Sequence, residues 1–216
     1  MSNFITHVAK GDTAVSVSMT AISTAASVVM TPLNLAIWGS IHPTAREVLR
    51  SIRLDPVELF VTIVIILGIP LVVGMLFAAY LPRVADKLRK PFKVGSLLFF
   101  AAFLAIAFKQ NFEFFLAFIG MVFVPVLLQN AMALGTGYGL AWVVRLREAQ
   151  RRAVSIEVGI QNSALALVLI FEFFEGLGGM AIIAGWWGVW HIIAGLSVAG
   201  FWSRFPVTGR SAEAEP

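Results

Sequence analysis

Glu157-Val158-Gly159-Ile160-Gln161-Asn162 lies between Arg152 and the apolar run Ala164 to Phe171. A carboxylate, two amides and a glycine are costly inside a segment otherwise apolar enough to cross a bilayer. Insertion scales put a charge at mid-membrane at about 2.5–3.5 kcal/mol or more. A glycine flanked by polar side chains also lets a helix unwind, which frees carbonyl oxygens to face a cation. Hard cations such as sodium take several oxygen ligands. Glu157 supplies a charge, Gln161 and Asn162 supply amide oxygens, and the carbonyls of Val158 and Ile160 would complete a shell. The competing view is that Glu157 sits just inside the interface and pairs with Arg151 or Arg152.

Outward from this stretch the chain is as apolar as its centre. Of 216 residues, 59% are hydrophobic and 13% are charged, and the mean hydropathy is +0.87. Soluble domains carry roughly 45–50% apolar and about 25% charged residues. Apolar runs long enough for a bilayer core of roughly 30 Å cover Val57 to Leu81, Phe112 to Val144, Ala153 to Phe171 and Leu177 to Trp202, and a shorter one, Val94 to Phe108, is read as a further membrane helix. Upstream lie the Ser- and Thr-rich Thr13 to Met30, closed by Pro32, and a short apolar piece from Leu33 to Ile41. The expectation is an all-α polytopic membrane protein with about seven membrane segments. Ala45 to Leu54 alternates arginine with apolar residues at helical spacing, as an interfacial amphipathic connector would. The tail, Ser211 to Pro216, reads as disordered.

The lysines and arginines cluster in short loops, Arg83 to Lys93 and Arg145 to Arg152. By the positive-inside rule both loops and the C-terminus are cytoplasmic, although Arg46, Arg50 and Arg53 then fall outside beside Glu47, Asp55 and Glu58. A net charge of +4 distributed this way predicts no nucleic-acid partner. The absence of cysteine removes disulfides and thiolate metal sites. No paired catalytic carboxylates, metal-spaced histidines or nucleophile with a base partner is visible, so an enzyme is not expected.

A second polar segment at membrane depth runs from Gly11 to Ser27. Ser16, Thr20 and Thr24 recur every fourth residue and share one helical face. Such a stripe either supplies hydroxyl oxygens to an ion or mediates close helix packing. Ala14-Val15-Ser16-Val17 weakly resembles Ala153-Val154-Ser155-Ile156, and matched interruptions in two halves point to a transporter binding site. His191, after Trp190 in the last span, either bonds neighbouring backbone or lines a cavity. Asp12, Lys10, Glu172 and Glu175 read as solvated loop charges.

These residues resemble the bile acid:sodium symporter family. The likeness runs through Ser2-Asn3, Ala9-Lys10-Gly11-Asp12, Val15 to Thr20, Ser23-Thr24, Thr31-Pro32-Leu33, Ile156 to Leu165 and Val189-Trp190-His191. It implies ten helices in two inverted repeats of five, the fourth and ninth broken and crossing at mid-membrane. On that template the chain starts near the break of the fourth helix. Residues 1–41 hold the second part of that helix and a short fifth, 42–56 the connector, and 57–210 the second repeat, with its crossing helix broken within 150–172. One sodium would use Ser2, Asn3, Ser16, Thr20 and Glu157. A second would use Glu157, Gln161 and the carbonyls of Val158 and Ile160, with a glutamine from the family's third helix. Asn162 and His191 would line the anion site, though Ile192 stands where the family usually has asparagine.

The resemblance implies sodium-coupled symport of an organic anion, such as a bile acid or related carboxylate or sulfonate, in a bacterial inner membrane. Sodium is the coupling ion and no organic cofactor is expected. The alternative is a truncated or split transporter without transport of its own, whose partner would be an N-terminal half-transporter fragment.

Overall fold

The computed structural model describes residues 1–43, 46–47, 56–110, 112–174 and 178–207. Every regular element among them is helical: α1 (Ser2–Val8), α2 (Thr13–Ile41), α3 (Pro56–Ile63), α4 (Ile69–Tyr80), α5 (Pro82–Gln110), α6 (Phe112–Val143), α7 (Glu148–Gly159), α8 (Ser163–Phe173) and α9 (Gly178–Ser203). Large apolar side chains such as Ile22, Phe99 and Met132 face outward, as lipid-facing residues must. The chain is an all-α polytopic membrane protein. Among the described residues five helical stretches are long and apolar enough to span: Thr13–Ile41, Phe60–Tyr80, Leu116–Val143, Glu148–Phe173 and Gly179–Ser203.

Two expectations differ from this structure. Pro32 does not end a segment; α2 runs through it to Ile41. Proline is tolerated in membrane helices because neighbouring groups re-satisfy the freed carbonyl. The loop Arg83 to Lys93 and the apolar run Val94 to Phe108 form one helix, α5, with Pro91 inside it. The first change joins two of the expected segments into one. The amphipathic connector, apart from Arg46 and Glu47, and the tail 211–216 fall outside the described residues.

The chain divides into two compact units. One holds Ala21–Gln110 and Phe173–Glu175. Within it, α3 passes into α4 through a π-helical stretch, Val64–Gly68, where the Ile69 N–H reaches back to the Val64 carbonyl. Pro70 explains the widened turn. Its ring would strike the carbonyl four residues earlier, and the wider turn moves that carbonyl aside.

The other unit holds Met1–Thr20, Asn111–Glu172 and Gly176–Pro216. Two of its turns are built alike. At the end of α1, the Gly11 N–H bonds the Thr6 carbonyl at 2.9 Å and the Lys10 N–H bonds His7 at 3.1 Å. After α6, the Leu146 N–H bonds Ala141 at 2.9 Å and the Arg145 N–H bonds Trp142 at 3.0 Å. Each is a Schellman closure with a basic residue in the left-handed position, Lys10 at φ 56° and Arg145 at φ 59°, where glycine is usual. The turns are joined by the Asp12 N–H on the Ala149 carbonyl, 2.9 Å. Asp12 also caps α2, its Oδ1 accepting the Val15 N–H at 3.1 Å. Ile5, Ala9, Ile156 and Ala199 form a buried core where α1, α7 and α9 meet.

Helix α6 lies close on α7. A Cβ on Gly137 would stand 2.9 Å from the Ser155 Cα and 3.0 Å from the Val154 carbonyl oxygen. Both are backbone atoms, so neither can rotate away. Gly137→Ala is therefore expected to cost about 1–3 kcal/mol, seen as a melting temperature in detergent lower by roughly 3–10 °C.

Candidate functional site

Glu157 lies two residues before the end of α7 and meets the chain's first twenty residues. Its Oε1 accepts a hydrogen bond from the Thr20 hydroxyl at 2.7 Å, and its Oε2 accepts one from the Ser16 hydroxyl at 3.2 Å. Asn3, on α1, turns its Oδ1 to the same hydroxyls, 2.7 Å from Ser16 and 3.2 Å from Thr20. Ser2 joins through a 3.4 Å contact with Thr20. Ser16 and Thr20 are one helical turn apart, so both reach the same carboxylate. The five residues Ser2, Asn3, Ser16, Thr20 and Glu157 thus converge in one cluster.

The cluster is short of protons. Each hydroxyl carries a single hydrogen. Ser16 faces both Asn3 and Glu157, and Thr20 faces Asn3, Glu157 and the Ser16 carbonyl at 2.9 Å. Thr6, fully buried, donates to Ser16 at 3.3 Å. With the Asn3 amide in this orientation, oxygen lone pairs outnumber the hydrogens between them, an arrangement that a cation relieves. The competing pairing of Glu157 with Arg151 or Arg152 does not occur. Both arginines turn to Glu148, at 4.0 Å and 3.0 Å, and no described ion pair involves Glu157.

Arg152 is buried, far from the exposed loop charge expected of it. Its Nη1 donates to the carbonyls of Ala9 at 2.9 Å, Trp202 at 3.0 Å and Phe205 at 3.4 Å. Its guanidinium lies over the Trp202 ring, 5.8 Å from the centroid. One side chain thereby fastens the ends of α1 and α9 to the start of α7.

Beyond Glu157 the helix stops. Ile160 is extended, φ −101° and ψ 97°, and α8 begins at Ser163. Asn162 caps α8, its Oδ1 accepting the Leu165 N–H at 3.1 Å. Gln161 is exposed and its Nε2 donates to the Val158 carbonyl at 3.4 Å. Its amide is therefore not drawn into the Glu157 cluster. His191 is buried on α9 with Nδ1 unpartnered. Among the described residues no three of His, Cys, Asp and Glu gather as a metal-binding group.

Asn130, on α6, escapes the sequence reading. It is 1% exposed, and its Nδ2 donates to the Gly159 carbonyl at 2.8 Å. An amide inside the apolar run 112–144 is the same kind of signal that singles out Glu157, and it could have been found that way.

Residues 1–118 match the family model of the sodium bile acid symporter family, so Ser2, Asn3, Ser16 and Thr20 fall inside the match. The chain belongs to the sodium bile acid symporter family. That family is one of membrane transport proteins and not of enzymes. Similar relatives include an uncharacterized sodium-dependent transporter, YocS, of Bacillus subtilis (strain 168), 29% identical over 94% of this chain and 60% of the relative. A probable sodium/metabolite cotransporter, BASS1, chloroplastic, of Arabidopsis thaliana is 30% identical over 94% of the chain and 48% of the relative. The P3 protein of Homo sapiens is 35% identical over 74% of the chain and 32% of the relative. The chain thus spans between about a third and three fifths of the length of these family members.

Proposed function

We propose that this chain carries a sodium site of a sodium-coupled symporter for an organic anion, a carboxylate or sulfonate of the bile-acid kind. The observation that carries it is the Glu157 cluster. A half-buried carboxylate faces Ser16, Thr20 and Asn3, with fewer hydrogens than acceptor contacts and no basic side chain among its described partners. Ser2, Asn3, Ser16, Thr20 and Glu157 would hold the first ion with neutral oxygens and one charge, the donor set a hard monovalent cation takes.

A second ion at Glu157, Gln161 and the carbonyls of Val158 and Ile160 is supported by the interruption at Ile160. It needs the Gln161 amide to rotate off the Val158 carbonyl, so that oxygen and not nitrogen faces the ion. Asn162 at the break and buried His191 would line the anion path. Sodium binding that draws Glu157, Asn3 and the α1–α2 turn together favours one arrangement of the break, and by linkage the anion raises sodium affinity equally. The proposed setting is a bacterial inner membrane with the C-terminus cytoplasmic. The chain's partial coverage of its relatives supports a second proposal, in which transport needs a partner fragment carrying the remaining helices.

Isothermal titration of sodium into the purified chain in detergent tests the site directly, with potassium as control. Saturable heat for sodium and not potassium is expected, and Ser16→Ala should weaken it about tenfold, the loss of one ligand worth about 1.4 kcal/mol. No heat from a folded chain would reject an assembled site and favour the partner fragment.

A further inference from the structure

We infer that Asn130 is a positioning residue for the proposed sodium site, acting through the Gly159 carbonyl at the end of α7. In an unbroken helix that carbonyl would accept the N–H of Ser163. Here the Ser163 N–H bonds the Gln161 carbonyl instead, at 3.1 Å. The Gly159 carbonyl has lost its donor in a buried place, and the Asn130 amide replaces it at 2.8 Å. The amide orientation follows, because reversing it would set Oδ1 against a carbonyl oxygen.

The neighbouring contacts define what this bond holds. One turn along the same face of α6, Leu134 lies so close to Gly159 that a Cβ there would meet its Cδ2, and the Leu134 carbonyl accepts the Ser155 hydroxyl at 2.8 Å. Glu157 sits midway between Ser155 and Gly159. With both neighbours tied to α6, the axial position and rotation of Glu157 are set relative to α6. The bond to Asn130 is the one on the side of the break.

The bond does two things. It keeps the buried Gly159 carbonyl from being orphaned, although Asn130 Oδ1 is itself buried without a partner, and it fixes geometry. The Asn130 amide lets α7 end at Gly159 with Glu157 facing Ser16 and Thr20, where a helix continuing through Ser163 would bury the Gly159 carbonyl in its own hydrogen-bond ladder.

The inference rests on the sodium site proposed above, so its test carries one readout that needs sodium and one that does not. The chain is purified as wild type, as Asn130→Leu, which keeps the volume and removes the donor, and as Asn130→Gln, which keeps the amide. Hydrogen exchange is followed in sodium-free detergent, and sodium affinity is measured by calorimetry. In the Leu variant, amides of residues 158–164 should exchange about tenfold faster while those of α9 do not change, and the sodium Kd should rise about tenfold. The Gln variant should stay within about threefold of wild type in both.

Unchanged exchange at the break in the Leu variant overturns the role of Asn130. So does faster exchange with an unchanged sodium Kd, which leaves the contact merely structural. Should the Leu variant not fold, the Gln variant decides: wild-type exchange at the break supports the inference, and faster exchange overturns it. A wild-type chain that binds no sodium overturns the site itself, recognisable because exchange at the break still responds to the Leu substitution.

Discussion

Glu157→Gln is expected to abolish measurable sodium binding by the purified chain while leaving it folded. The amide keeps an oxygen at the same place, so what is lost is charge. A unit charge about 4 Å from an ion contributes about 4 kcal/mol at an effective dielectric of about 20, which corresponds to about three orders of magnitude in affinity. The glutamine also brings hydrogens to a cluster short of them, since Asn3 Oδ1 and the two hydroxyls already compete for protons. In sodium-free buffer the variant should therefore melt no lower than wild type. Only wild type should gain stability from sodium, by about 2.7 kcal/mol at a hundredfold excess over its Kd. Calorimetry and thermal unfolding in detergent check both halves, and an unchanged affinity would remove Glu157 from the site.

Arg152→Met should be the most destabilising single change in the unit that holds the site. Methionine approximates the length of the stem and supplies none of the donors. The Ala9 carbonyl loses its donor, the Trp202 carbonyl keeps only the Phe205 N–H at 3.0 Å, and Glu148 loses its 3.0 Å partner. Each orphaned buried acceptor costs about 1–3 kcal/mol; Glu148 is partly exposed and adds little. A total of about 2–4 kcal/mol is expected, read as a fall in melting temperature of roughly 5–15 °C. Arg152→Lys should recover only a minor part, because one ammonium cannot reach three carbonyls and a carboxylate from a single planar fork. Wild-type melting of the methionine variant would show that α1, α7 and α9 are held together without it.

How far these features can be read without a structure depends on what each residue does. Glu157 and the Ser16–Thr20 stripe stand out because a polar group at membrane depth is expensive wherever the chain goes. Their convergence does not follow from periodicity; it needs α1 to fold back so that Asn3 meets α2. Pro32 misleads, because proline punctuates soluble helices and is absorbed in membrane ones. Arg152 misleads in another way. Charge counting places it at a membrane edge, and nothing in its spacing indicates that three carbonyls from two other helices bury it. Asn130 carries the same kind of signal as Glu157 but is uncharged, so composition alone gives it less weight.

Ser16 and Glu157 lie 141 positions apart, and that separation bears on how the protein is made. At roughly 5–20 residues per second, on the order of ten seconds of synthesis separate the two. Over that interval the first helices enter the bilayer with a row of hydroxyls and an amide that no carboxylate yet answers. The cluster closes only when α7 arrives. If sodium is the bound ion, it would meet a polypeptide still finishing its assembly, and the sodium level of the cell would then bear on biogenesis.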